Sequence, residues 1–204
     1  MDPNHPMLQR VYHLNGTAEA ESVYDEWAAT FDADTIDGMG YVAPGHVAER
    51  LAELVPADST VLDAGCGTGQ GGAELAARGF TTIDGIDLSQ GMLDQAHAKG
   101  CYRDLRKADL TARLPYDDNT YDATICVGTF TEGHVGPDAL DELVRVTRDH
   151  LVLTVQGRTW EALGYRARLD ALTSTGAARL IEADERPYHL AEGITCRRVV
   201  LQAT

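Results

Sequence analysis

From residue 59 onward, short apolar runs alternate with helical patterns, and this alternation restricts the fold more than any other feature of the chain. "STVLDAG" reads as a buried strand and "QGGAELAARG" as a helix closed by Gly79. "FTTIDGID" is a second strand, and Ser89 can cap the helix "QGMLDQAHAKG", which stops at Gly100. A weak third strand lies within "CYRDLRKADL" and a clear fourth in "YDATICVGTF". "PDALDELVRVTRD" follows as a helix with Pro137 in its first turn, then the strand "LVLTV" and the helix "TWEALGYRARLDALTSTG". "ARLIEAD" and "TCRRVVLQA" have no helix between them and are expected to pair antiparallel. Such a pattern implies a doubly wound α/β sheet with a final hairpin, whose ligands bind beyond the carboxyl ends of the strands.

Ahead of this core, "AEAESVYDEWAATFD" and "GYVAPGHVAERLAELVP" read as helices, the second stopped by Pro56. Residues 1–18 show no periodicity and are expected to be a poorly structured arm. The division is residues 1–55 as arm and lid helices and 56–204 as the core.

The stretch from Val61 to Gly72 carries five glycines in twelve residues, between a strand and a helix, which is the setting of a nucleotide loop. Gly67 to Gly72 also fits the dinucleotide pattern, so the loop alone admits NAD, another nucleotide-like cofactor or a structural turn. Asp63 narrows the choice. A carboxylate at the strand end repels a pyrophosphate and welcomes an ammonium. Asp87 ends the second strand, where it can accept ribose hydroxyls, and Asp109 follows the third, within reach of an adenine amino group.

"VLDAGCGTGQGG", "IDGIDLSQGMLDQA", "ADL" and "YDATICVGTF", in this order and spacing, resemble the motif set of the class I, seven-stranded S-adenosylmethionine-dependent methyltransferases. "YDEWAATFD" and "GTFTEGHVGPDALDELVRV" resemble more narrowly the Williams-Beuren syndrome region methyltransferase-like group. The resemblance implies a Rossmann-like, mostly parallel seven-stranded sheet and S-adenosylmethionine as cofactor. It implies that Asp63, Gly65 and Gly67 line the methionine end and that Asp87 holds the ribose. It places Leu88, Met92, Asp109 and Leu110 about the adenine, Val127 and Gly128 by the sulfonium, and Tyr24 over the cofactor. One departure is Asp149-His150, where the family often carries Pro-Gly-Gly.

The expected activity is methyl transfer to a small-molecule acceptor. The alternatives are a sulfonium-binding enzyme that does not methylate, such as a cyclase, and a regulatory cofactor-binding protein. His134, on the loop after the fourth strand, is the candidate general base, with Glu132 two residues away to orient it. Trp27, Tyr41, Phe130, Glu132 and His134 are the candidate acceptor-binding residues, and Tyr24 and Trp27, ahead of the core, suit a lid over a cationic sulfonium.

A net charge of −15 disfavours nucleic acid as a partner. The four cysteines, Cys66, Cys101, Cys126 and Cys196, lack metal or redox spacing, and no histidine pair suggests a metal site. No signal-like or membrane-length apolar run occurs, so a cytoplasmic protein is expected. Oligomeric state is not readable from these features.

Overall fold

A computed structural model describes residues 5–14 and 16–204. Seven strands form one sheet in the order β3-β2-β1-β4-β5-β7-β6. They are β1 (Thr60–Ala64), β2 (Thr82–Asp87), β3 (Asp104–Lys107), β4 (Tyr121–Phe130), β5 (Thr147–Gln156), β6 (Ala178–His189) and β7 (Ile194–Ala203). The first five pair in parallel; β7 runs antiparallel to both β5 and β6, the expected terminal hairpin. The chain winds outward from β1 through β2 to β3, then returns to β4 beside β1. The crevice at the carboxyl ends of β1 and β4 is therefore the topological switch point, where such sheets bind ligands.

Both faces of the sheet are covered. On one, α3 (Ala43–Leu54) and α4 (Gln70–Ala77) bury Val47, Leu51 and Leu75 against Ile83, Ile125 and Val152. On the other, α6 (Ala139–Val146) and α8 (Tyr165–Ser174) bury Leu140, Leu143, Leu169 and Leu172 in a larger cluster with Leu151 and Leu201. Near the β3 edge, α5 (Gln90–Lys99) starts at Ser89, whose hydroxyl accepts from the Met92 amide, and ends at left-handed Gly100.

The N-terminal residues form a cap with its own apolar cluster. Here α1 (Pro6–Val11) and α2 (Thr17–Trp27) gather Leu8, Val11, Val23 and Trp27. Polar contacts fasten the cap to the core. Asp25 accepts from the Ser89 hydroxyl and the Gly91 amide, Asp32 pairs with Lys99 at 2.6 Å, and Glu21 pairs with Lys107.

Several boundaries differ from expectation. The arm expected to be unstructured contains α1, a helix too short to show periodicity and held by packing; residues 1–4 of that arm lie outside the described residues. After Trp27 the chain leaves the α-helix and makes a π-type turn over Ala33–Gly38. Pro137 lies ahead of α6, and residues 147–149 open β5 rather than extend that helix. The single helix expected after β5 is two, α7 (Gly157–Ala162) and α8, separated at Gly164 with φ of 76°. Strand β6 continues through a charged, proline-bearing segment to His189, which a sheet edge tolerates. Among the described residues no helix is long and apolar enough to cross a membrane.

Candidate active site

Between the cap and the carboxyl ends of β1, β2 and β4 lies a cavity of about 300 Å³. Asp63 reaches it from the penultimate position of β1, where it is 1% exposed. Burial raises its carboxyl to about 7, although the Tyr102 hydroxyl, donating to Oδ2 at 2.7 Å, works in the opposite direction. Asp87 ends β2. Its Oδ2 accepts from the Gly67 amide and its Oδ1 from the Ser89 amide, each at 2.9 Å, while burial raises its pKa. The carboxylate keeps acceptor capacity for a further donor.

The glycines divide into two groups. A side chain at Gly67 would meet nothing within 4 Å, and its φ of 53° sets the turn beside the cavity. Gly72 and Gly85 make room for a protein group instead: a Cβ at Gly72 would lie 2.3 Å from the Tyr102 ring, and one at Gly85 3.0 Å from it. The Tyr102 oxygen also accepts from the Gly72 amide at 3.1 Å. Part of the glycine density therefore accommodates the tyrosine that holds Asp63.

Leu88, Met92, Asp109 and Leu110 line the cavity at its β2–β3 end, and Asp109 Oδ1 is engaged by the Thr111 amide and hydroxyl. Gly65, Val127 and Gly128 line its floor, while Tyr24, Trp27, Tyr41 and His134 enclose it from above and from the far side. Two expected residues do not reach it. Phe130 turns to the opposite face of the sheet and packs edge-on to Tyr165 with ring centres 5.6 Å apart. Glu132 leaves its side chain exposed and contributes only its carbonyl, which lies 2.8 Å from His134 Nδ1.

That carbonyl decides the histidine tautomer. The Thr131 hydroxyl oxygen also lies 2.8 Å from Nδ1 and can accept as well as donate, but the carbonyl only accepts, so Nδ1 carries the proton and Nε2 is left with a lone pair. The Tyr24 hydroxyl stands 2.6 Å from Nε2 and donates to it. Burial lowers the pKa of His134 and raises that of Tyr24, so both are neutral near pH 7.

The sequence reading missed Leu8, Val11 and Tyr12 of the cap, Tyr102 behind Asp63, and Tyr188 and His189 at the end of β6. No lysine or arginine lines the cavity among the described residues. Buried Asp63 thus faces a space without a protein cation, as suits a ligand ammonium, and Asp87 beside open Gly67 suits a vicinal diol. These residues fit the aminoacyl and ribose parts of S-adenosylmethionine.

Residues 61–151 match the family described as a methyltransferase domain. Human methyltransferase-like protein 27 is 37% identical over 169 residues, spanning 80% of this chain and 68% of that protein. Among solved structures, the [4+2]-cyclase SpnF superposes with a TM-score of 0.73 at 18% identity, covering 93% of this chain and 97% of that one. The magnesium protoporphyrin IX methyltransferase ChlM from Synechocystis PCC 6803, with bound S-adenosylmethionine, gives a TM-score of 0.62 at 18% identity, covering 97% and 90%.

Proposed function

Given that the chain belongs to the class I S-adenosylmethionine-dependent methyltransferases, we propose that it methylates a small-molecule acceptor held beneath the cap, with residues 1–55 as the closing unit and 56–204 as the catalytic core. The observation that carries this reading is the cavity itself. It lies at the sheet's switch point, and a cap with its own apolar cluster lies over it. A nucleic-acid substrate is drawn by a basic surface, whereas this chain carries a net charge of −15.

When bound, the cofactor supplies a methyl carbon on a positively charged sulfur, so alignment is the protein's main task. Asp63 binds the ammonium, and Asp87 accepts from the ribose hydroxyls. Leu88, Met92 and Leu110 flank the adenine, whose amino group Asp109 receives. Gly65 and Gly67 admit the aminoacyl end, and Val127 and Gly128 border the reacting side. Trp27 and Tyr41 exclude water and contact the acceptor.

His134 is the proton acceptor, and it works through Tyr24. The Tyr24 oxygen receives the acceptor's proton as its own hydroxyl proton passes to Nε2, while Glu132 fixes the ring through its carbonyl.

The test is release of S-adenosylhomocysteine from S-adenosylmethionine with small uncharged hydroxyl compounds on one side and RNA on the other. Turnover with the small compounds is expected. Turnover with RNA alone overturns the acceptor class, and cofactor binding with no turnover on any substrate favours a non-methylating, cyclase-like enzyme or a regulatory protein.

A further inference from the structure

At the far end of the cavity from Asp87, three aromatic side chains form a wall that the cofactor residues do not need. Tyr41 follows the π-type turn and is bridged through its backbone to His189, the last residue of β6. The rings of Tyr41 and Tyr188 pack edge-on at 5.0 Å, and His189 lies 5.3 Å from the first and 4.6 Å from the second. A Cβ at Gly128 would stand 2.5 Å from the Tyr41 hydroxyl oxygen and 3.3 Å from that of Tyr188. The wall therefore closes directly on the tail of β4.

His189 is 4% exposed, lines the cavity, and its Nδ1 makes no hydrogen bond. That nitrogen is turned toward Glu192, which does not line the cavity, so a ligand in the cavity meets the other ring nitrogen, Nε2. The nearby charged group is Glu192, with Oε2 3.9 Å from Nδ1. A carboxylate on that side favours the tautomer protonated at Nδ1, which leaves Nε2 as an acceptor.

The charge balance of the cavity is one-sided. Asp63, Asp87 and Asp109 line it, and no lysine or arginine does among the described residues. Burial lowers His189 to about 4 and raises both tyrosines, so near pH 7 the wall is uncharged. A carboxylate or phosphate entering here loses its water and gains no cation from the protein.

We propose that Tyr41, Tyr188 and His189 form the acceptor-recognition wall, and that it selects an uncharged aromatic acceptor whose hydroxyl donates a hydrogen bond to His189. The proposal rests on the methyltransferase reading for the identity of the neighbouring ligand, but its chemistry is read from the wall alone.

Matched probes test it: 2-naphthol, 2-naphthoate and 2-naphthyl phosphate, titrated calorimetrically with and without saturating S-adenosylhomocysteine. The naphthol is expected to bind, and the two anions to bind at least about tenfold more weakly, the worth of one hydrogen bond or more. His189→Ala is expected to weaken naphthol about tenfold and to leave S-adenosylhomocysteine affinity unchanged. His189→Gln, which keeps a polar edge, falls between and guards against a merely misfolded variant. Anions that bind as tightly as naphthol, naphthol that ignores both substitutions, or naphthol that does not bind at all each overturn the wall. Failure of S-adenosylhomocysteine to bind strikes the methyltransferase reading instead, and the naphthol series without it still reads the wall.

Discussion

The Tyr24 hydroxyl donates to Nε2 of His134 at 2.6 Å, joining cap and core across 110 residues of sequence. One bond thus closes the cavity and occupies the lone pair expected to act as base. The His134 Nδ1 proton is held by the Glu132 carbonyl, so the ring cannot offer its other nitrogen without breaking that contact.

Tyr24→Phe removes the hydroxyl and keeps the ring packed against Trp27 and Phe31. The expected result is a fall in kcat of about 10²-fold or more with a hydroxyl acceptor, the range for lost acid–base assistance. Affinity for S-adenosylhomocysteine should change little. Hydrogen exchange over residues 5–45 should speed up in the variant, and in the wild type it should slow when S-adenosylhomocysteine binds. Unchanged kcat and unchanged exchange would remove the pair from both roles.

Asp63 gives a pH dependence with a defined sign. Its carboxyl titrates near 3.8 when unfolded and near 7 in the native protein. Between those values the native state holds a proton the unfolded chain has lost, so Asp63 costs stability as pH rises from about 4 to 7. A ligand ammonium favours the carboxylate. Affinity for S-adenosylhomocysteine should therefore rise with pH, by at most about tenfold per unit, and level off above 7. Asp63→Asn should bind more weakly and without this slope. An equal slope in the variant assigns the titration elsewhere.

Tyr102 and Gly72 are expected to be coupled. Gly72→Ala drives a methyl into the Tyr102 ring, an overpacking worth about 1–3 kcal/mol. Tyr102→Ala opens that space while releasing Asp63. In a double-mutant cycle read by denaturant melts, the second substitution should cost less in the presence of the first. Strict additivity contradicts the contact.

The parts of the site that can be read in the sequence are those with a local backbone demand. Ser89 caps a helix through the Met92 amide, Gly67 turns a loop at positive φ, and Asp87 ends a strand two residues before the Ser89 amide it accepts from. Tyr102 could not be found this way, because its role exists only where Gly72 and Gly85, separated in sequence, face one ring. His189 was hidden in a charged segment that resembles a loop until it pairs as an edge strand. Phe130 was misplaced because proximity in sequence to Val127 and Gly128 says nothing of which sheet face a side chain takes. Glu132 sits beside His134 as expected, but the atom that holds the ring is its carbonyl, which any residue supplies.

The central claim is that Asp87 and its neighbours bind a nucleoside sulfonium cofactor, and calorimetry with S-adenosylhomocysteine and NAD on the wild type and Asp87→Ala tests it most directly. S-adenosylhomocysteine should bind the wild type and NAD should not. Asp87→Ala should stay folded and lose about 1.5–3 kcal/mol of binding, the range for hydrogen bonds to a charged group. Tight NAD binding with no response to S-adenosylhomocysteine, or equal S-adenosylhomocysteine affinity in the variant, would contradict the account.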